Sequence, residues 1–455
     1  MNHSAQARSI PTNATVFNMA WPLAIKAVML HGIVVIDAYL ISSLGENALA
    51  SMGLASAVAG MILAFLFAFS SATQIRIAQS FGTRELLRLK SGAVSGLAVN
   101  LTCACFGLIF VFAFADDVIS ALAHTPEIAA RALDYLYILS FLFAAEAISQ
   151  SIGSYFNGIG RTRIPLYSYL LSLPVNIVVS ILLIHGYLGL PELGLVGAAI
   201  GSSVAASIRV VFLVAVFLRT QGEVLTQPGW QNGTLITALG RHVRFALPIA
   251  ATFVSAGIAN QVCMLLYANL AVTDFASMTL ILPWIMVAGT IGMSWAQSTC
   301  IVMAQILGRR EREDVLDQFL GNAWRGIFVA AALVACVYLT VCMSAEWLYS
   351  GLQPATTAAL FAFIPILVLL PFPKCSNAIC GNTLRAAGDT VYVMNLFIGS
   401  QWLFKVPATA ALTLYFDASV FWVLAVLLLE ELVKFPGFHL RIFAGRWKQR
   451  AVFTD

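Results

Sequence analysis

Long apolar runs separated by short polar breaks set the pattern of this chain. Cut at polar or Gly/Pro clusters, the runs cover approximately residues 17–43, 47–79, 92–115, 132–157, 164–187, 194–218, 245–271, 275–306, 321–344, 356–384, 391–416 and 418–442. A helix needs about 20 apolar residues to cross a bilayer core, so each run is long enough for one span. The runs are continuous rather than alternating, which predicts helices and not the strands of a barrel. Several exceed what a core of about 30 Å requires, so tilted or bent spans are expected. The expected fold class is an all-α membrane protein of about twelve transmembrane helices.

The polar breaks carry an alternating charge pattern. One set holds Arg8, then Arg84, Arg88 and Lys90, Arg161 and Arg163, Arg219, Arg241 and Arg244, Arg309, Arg310 and Arg312, Arg385 at a helix end, and Arg441, Arg446, Lys448 and Arg450. The other set holds Glu46, Asp116, Asp117, Glu127, Glu192, Asp274, Glu346 and Asp417, with Arg131 as the exception. The Lys/Arg excess predicts both termini in the cytoplasm, as an even number of spans requires. Residues 1–15 are polar and lack the layout of a secretory signal, so they read as a short cytoplasmic tail. The longest break, 219–244, is polar and central. It separates an expected N-lobe (1–218, spans 1–6) from a C-lobe (245–455, spans 7–12).

Composition agrees. The chain is 60% hydrophobic and 10% charged, against about 25% charged residues in soluble domains. A net charge of +4 gives no sign of a nucleic-acid partner. Membrane lipids and a small-molecule substrate are the expected partners, and a monomer would suffice. No nucleotide loop of the Gly-x-x-x-x-Gly-Lys-Ser/Thr kind is present, so neither an enzyme nor an ATP-driven pump is indicated. The eight cysteines lie in apolar runs without metal-ligand spacing and read as small buried residues. No cofactor or metal is expected.

The two halves repeat. Trp21-Pro22 matches Leu247-Pro248 at an offset of 226, and Ala50-Ser51 matches Ala276-Ser277 at the same offset. Ala78-Gln79-x-x-Gly82-x-Arg84-Glu85 matches Ala304-Gln305-x-x-Gly308-x-Arg310-Glu311, again at 226. Gly153 and Gly160-x-Thr162 match Gly381 and Gly388-x-Thr390 at 228. Four matches in order at a nearly constant offset predict a duplication. Six spans is an even number, so the halves are parallel repeats, an arrangement suited to alternating access.

Polar groups inside the spans are the functional candidates, because an ionisable side chain at membrane depth is costly. Asp37 lies well inside the first run. Pro22, fifteen residues earlier, is a candidate bend. Glu146 and Lys374 are repeat mates at the 228 offset, on spans 4 and 10. They form a candidate cross-lobe pair that meets in one access state and parts in the other. Lys26 and His31 on span 1 and Lys405 on span 11 are further in-membrane polar groups and candidate cavity residues. Lys26 is three turns from Asp37, too far for a direct bridge, and reads as a lysine snorkelling to the headgroups. His31 reads as a packed histidine before a proton relay. Lys26, Lys374 and Lys405 together make the membrane interior cationic, which favours anionic over cationic ligands.

Several of these features resemble the MATE (multidrug and toxic compound extrusion) family, over essentially the whole chain. They are Pro22 with Asp37, Leu44-Gly45 and Ala48-Leu49-Ala50, Ala78-Gln79-Ser80-Phe81-Gly82, Asn157-Gly158-x-Gly160-x-Thr162, and Pro191-Glu192-Leu193-Gly194-x-x-Gly197-Ala198-Ala199. The resemblance implies two pseudo-symmetric six-helix lobes in a V. It also implies secondary active efflux of amphipathic, usually cationic compounds in exchange for protons or sodium, in a bacterial inner membrane. Asp37 matches the acid that the archaeal and DinF-like branches carry on helix 1. Asn176 matches their helix-5 amide. Ser180 stands where they have a second acid, and i and i+4 share a helix face. Ser202 on span 6 is a third candidate neighbour. With one acid missing, protons are the first expectation for the coupling ion and sodium the second.

The NorM-like branch uses C-lobe acids instead. Here Gln261 and Lys374 align with them, which speaks against a sodium site in that lobe. Two other functions stay open. One is export of anionic metabolites such as organic acids or siderophore-like compounds. The other is flipping of lipids or lipid-linked sugars, as in the same superfamily.

Overall fold

Each apolar run becomes a helical pass in a computed structural model, which describes residues 11–231, 233–349, 352–416 and 418–449. The first ten and last six residues, on which part of the orientation reading rests, lie outside the described residues. In lipid every backbone N–H and C=O must find its partner within the segment, so a long apolar run has only the helix available. The single-helix passes of the first half are α1 (Asn13–Ser42), α2 (Glu46–Thr83), α3 (Leu86–Leu122), α6 (Arg163–His185) and α7 (Leu195–Thr226). The fourth run forms a pair, α4 (Pro126–Leu139) and α5 (Phe141–Gly158). The second half gives α8 (Leu235–Tyr267), α9 (Val272–Gly308), α10 (Glu313–Met343), a short α11 (Ala345–Leu348), α12 (Pro354–Leu369) with α13 (Pro371–Ala386), α14 (Thr390–Gly399), α15 (Val406–Leu414) and α16 (Val420–Phe443). Among the described residues no strand is present.

Among the described residues, nine helices, with α12 and α13 counted as one, are long and apolar enough to span alone, and the α4–α5 pair, bent by 41°, gives a tenth. The last two expected spans differ from the rest for local reasons. A π turn over Ser400–Lys405 interrupts the eleventh. Pro407 lies two residues past its end, after Val406; its missing N–H and its ring disfavour a regular α-turn there. The twelfth, α16, carries Glu430, Glu431, Lys434 and Arg441 in its apolar run.

The duplication is visible in the backbone. Arg84 and Arg310, 226 positions apart, both take left-handed φ values, 60° and 55°. Gly160 and Gly388, 228 apart, share a φ of 84°. Their turns close alike: Arg161 N donates to Phe156 O at 2.8 Å, and Asp389 N to Leu384 O at 2.8 Å.

The chain forms two compact units, whose limits differ from the lobes expected from sequence. One, here the N unit, is Ile25–Phe253. The other, the C unit, joins the residues up to Ala24 with Val254 onward. The division falls inside α1 and α8 rather than in the linker. Within the N unit the first half of α8 packs on α2: Thr73 Oγ1 and His242 Nε2 are 3.1 Å apart, and Phe67 and Phe253 stack edge to face at 5.6 Å. The 219–244 break is shorter than expected as a loop, because α7 runs on to Thr226 and α8 starts at Leu235. The remaining strap lies on α3: Lys90 Nζ donates to Gln227 O at 2.6 Å, and Gln231 N to Ser91 Oγ at 2.9 Å.

Candidate functional site

Asp37 is buried, 8% exposed, on α1. Ser202 Oγ of α7 donates to its Oδ2 at 3.4 Å, and Asn176 Nδ2 of α6 donates to Ser202 Oγ at 3.0 Å. Three of the four coupling candidates therefore form one chain from three helices. Ser180, the fourth, is fully buried. It sits in the α6–α7 seam, where a Cβ on Gly201 would come within 2.2 Å of its Oγ. Small residues there let the two helices approach closely enough for Asn176 to reach Ser202. Tyr135 of α4, which the sequence reading missed, lies within electrostatic range of Asp37 and hydrogen-bonds Ser56. Pro22 is buried inside α1, which continues as helix on both sides of it.

A second cluster lies in the same unit. Glu146 of α5 is ion-paired with Arg209 of α7, and both are buried. Gln150 Nε2 donates to the other carboxylate oxygen at 3.4 Å. The Arg209 guanidinium lies 4.5 Å from the Tyr169 ring centroid, and Lys26 Nζ lies 5.4 Å from the same ring. Both are cation–π distances. Lys26 thus faces the interior of its unit, near Glu146 and Arg209, which corrects the snorkelling expectation. Arg209 was missed, although an arginine fifteen residues into an apolar run is itself a signal.

The C unit holds a longer ionic chain. Lys405 Nζ stands 3.8 Å from Glu430 Oε2, Lys434 Nζ 3.1 Å from Glu430 Oε1, and the same Nζ 2.9 Å from Glu431 Oε1. Asn377 Nδ2 of α13 donates to Glu431 Oε2 at 2.9 Å. Lys374 lies within electrostatic range of Glu431, and Lys405 also donates to Asn260 Oδ1 of α8 at 2.6 Å. The two glutamates and Lys434 were missed, although three charges within five residues of an apolar run mark them plainly. Glu146 and Lys374, the expected cross-lobe pair, each have an opposite charge within their own unit. His31 and Gln261 are exposed on their helices. Of the cysteines, Cys105 and Cys336 are exposed and Cys103 is half-buried, while the other five are buried as expected.

Long apolar helices, a duplicated architecture and buried charges reached from several helices define a polytopic integral membrane protein. The comparisons with known proteins show what it resembles. The family model MatE matches residues 22–182. "Probable multidrug resistance protein NorM" of Rhizobium meliloti (strain 1021) is 24% identical over 380 residues, covering 80% of this chain and 79% of the relative. "Uncharacterized transporter YisQ" of Bacillus subtilis (strain 168) is 20% identical over 399 residues, 86% of each chain. A MOP superfamily transporter from Pyrococcus furiosus shares the fold with a TM-score of 0.83 at 17% identity, over 97% of this chain and 98% of that one. The eukaryotic MATE transporter AtDTX14 does so with a TM-score of 0.82 at 17% identity, over 96% and 97%. The chain thus resembles MATE transporters in fold over nearly its whole length and in sequence over residues 22–182.

Proposed function

We propose that the chain is a secondary active efflux antiporter that expels amphipathic compounds while protons flow inward, with Asp37 as the carboxylate that exchanges the proton. The observation that carries this reading is Asp37 itself. It is a buried acid on an apolar helix, joined through Ser202 to Asn176, so its neighbours on α6 and α7 are a hydroxyl and an amide. An uncharged carboxyl is at home in apolar packing, while a charged one needs water or a cation. Loading and unloading a proton therefore changes which packing of α1 is stable, the requirement for coupling to an access change. The names of the relatives support multidrug export.

A second reading concerns substrate charge. Lys26 and Arg209 face one Glu146 in the N unit, which favours a substrate with an anionic group over the cationic class. For the Pyrococcus furiosus transporter a "reverse polarity of binding pocket" is described that "suggests different function", and this fits the same direction.

The test is transport by purified protein in liposomes. Wild type and Asp37→Asn are loaded with a cationic or an anionic fluorescent probe and driven by a proton or a sodium gradient. Proton-driven export lost in Asp37→Asn supports the assignment. Sodium-driven export would instead make Asp37, Ser202 and Asn176 a sodium site. Proton-driven export that survives in Asp37→Asn overturns it.

A further inference from the structure

The C unit repeats the Asp37 cluster with different chemistry. The repeat mate of Asp37 at the 226 offset is Cys263, on α8. Its Sγ lies 3.9 Å from Thr409 Oγ1, and it is within electrostatic range of both Lys405 and Glu430. The 228 offset carries Asn176 to position 404, and Lys405 is the next residue. The π turn at Ser400–Lys405 accounts for that extra position, because a π turn takes one residue more than an α turn. The third member comes in both halves from the sixth span: Ser202 on α7 and Glu430 on α16. Asp37, Asn176 and Ser202 in one unit thus correspond to Cys263, Lys405 and Glu430 in the other. The carboxylate has moved from the first span of the repeat to the last, and the amide has become an ammonium.

We propose that this second cluster is a counterpart of the coupling site with its cation built in. Lys405 occupies there the place that the exchanged cation takes beside Asp37, so exchange is confined to the N unit. The inference rests on the assignment of Asp37 given above. The charges fit. Glu430 faces Lys405 on one oxygen and Lys434 on the other, and Ser400 Oγ donates to it at 3.4 Å. Glu431 takes Lys434, Asn377 and the field of Lys374. Cys263 and Tyr267 of α8 are the other titratable groups facing Glu430. The chain Lys405, Glu430, Lys434, Glu431, Lys374 alternates in sign and ends on a cation at both ends. Its acids need no further positive partner while Lys405 is in place. Without Lys405, Glu430 and Glu431 compete for Lys434, and Glu430 is the one left short, because Lys374 and Asn377 stand beside Glu431.

Trp402 is a built-in reporter: its Nε1 donates to Ser255 Oγ at 3.0 Å, three residues before Lys405. The experiment uses the full chain in proteoliposomes, in an Asp37→Asn background that silences the first site. The fluorescence component lost in Trp402→Phe is followed as pH is lowered and, separately, as sodium is added. We expect no titration with Lys405 present. Lys405→Asn should produce a titration with protons or sodium that disappears in Lys405→Asn/Glu430→Gln. A titration that Glu430→Gln removes while Lys405 is still in place would overturn the proposal, since Glu430 would then exchange cations itself. So would silence in a Lys405→Asn protein that keeps its melting temperature. Failure of the Asp37 assignment reads separately, as proton-driven export that persists in Asp37→Asn alone.

Discussion

Glu146 and Arg209 show how much a single buried side chain carries. Neither is more than 6% exposed, so removing one partner leaves a charge with no water to solvate it. Arg209→Ala should destabilise the protein by about 3–5 kcal/mol, read as a fall in the melting temperature of the purified protein. Glu146→Gln combined with Arg209→Gln should recover much of that loss, because two neutral amides leave no charge stranded. A double variant as unstable as the single one would mean that packing around the guanidinium, not its charge, is what matters. Ser202→Ala is a gentler change. It removes one hydrogen bond to Asp37, a contribution of about 1 kcal/mol, and keeps the acid. Export should weaken roughly fivefold, whereas Asp37→Asn should abolish its proton dependence. Equal losses in the two variants would mean that the carboxyl cannot exchange its proton without the Ser202 hydrogen bond, so the hydroxyl contributes more than about 1 kcal/mol.

At the scale of elements, the Asp37 cluster depends on how closely α6 and α7 approach. A Cβ on Gly197 would meet Leu183 carbonyl carbon at 2.7 Å, and one on Gly201 would meet Ser180 Oγ at 2.2 Å. Gly201→Val should push the helices apart, break the Asn176–Ser202 hydrogen bond and lower both stability and coupling. Adding Ser180→Gly opens space at the same point and should restore part of both, measured as melting temperature and proton-driven export. The π turn before Pro407 plays the corresponding part in the C unit, since it places Lys405 toward Asn260 and Glu430.

At the scale of the whole molecule, each compact unit uses a half-helix from the other half of the sequence. A fragment ending in the strap, near residue 231, would lack the first half of α8 that packs on α2. It would also expose the first half of α1, which belongs to the C unit. Such a fragment should not be stable alone, and co-expression with the remaining chain should restore it. Size-exclusion profiles of the fragment and of the co-expressed pair check this. A monodisperse, stable N-terminal fragment would mean that the half-helices contribute little to the units they join.

How much could be read beforehand follows from the range of the interactions involved. Helix positions were legible because burial in lipid is written residue by residue as apolar character; all twelve runs have a helical counterpart, although α8 starts ten residues before its run and α7 ends eight residues after its own. The duplication was legible because turns need particular residues, as Gly160 and Gly388 show with the same positive φ. Asp37 was legible because an acid inside an apolar run is conspicuous wherever it points. Partners were not. Ser202 lies 165 residues from Asp37, Arg209 63 from Glu146, and Lys405 25 from Glu430. An offset within a repeat predicts which residues correspond, not which ones touch. Apolar runs and in-span charges, read along the chain, already specify a membrane protein of repeated helices with ionisable groups inside its spans. Which charges neutralise one another is settled by the folded packing, because that depends on which helix faces meet, and the glycines and the π turn that set those faces act through packing.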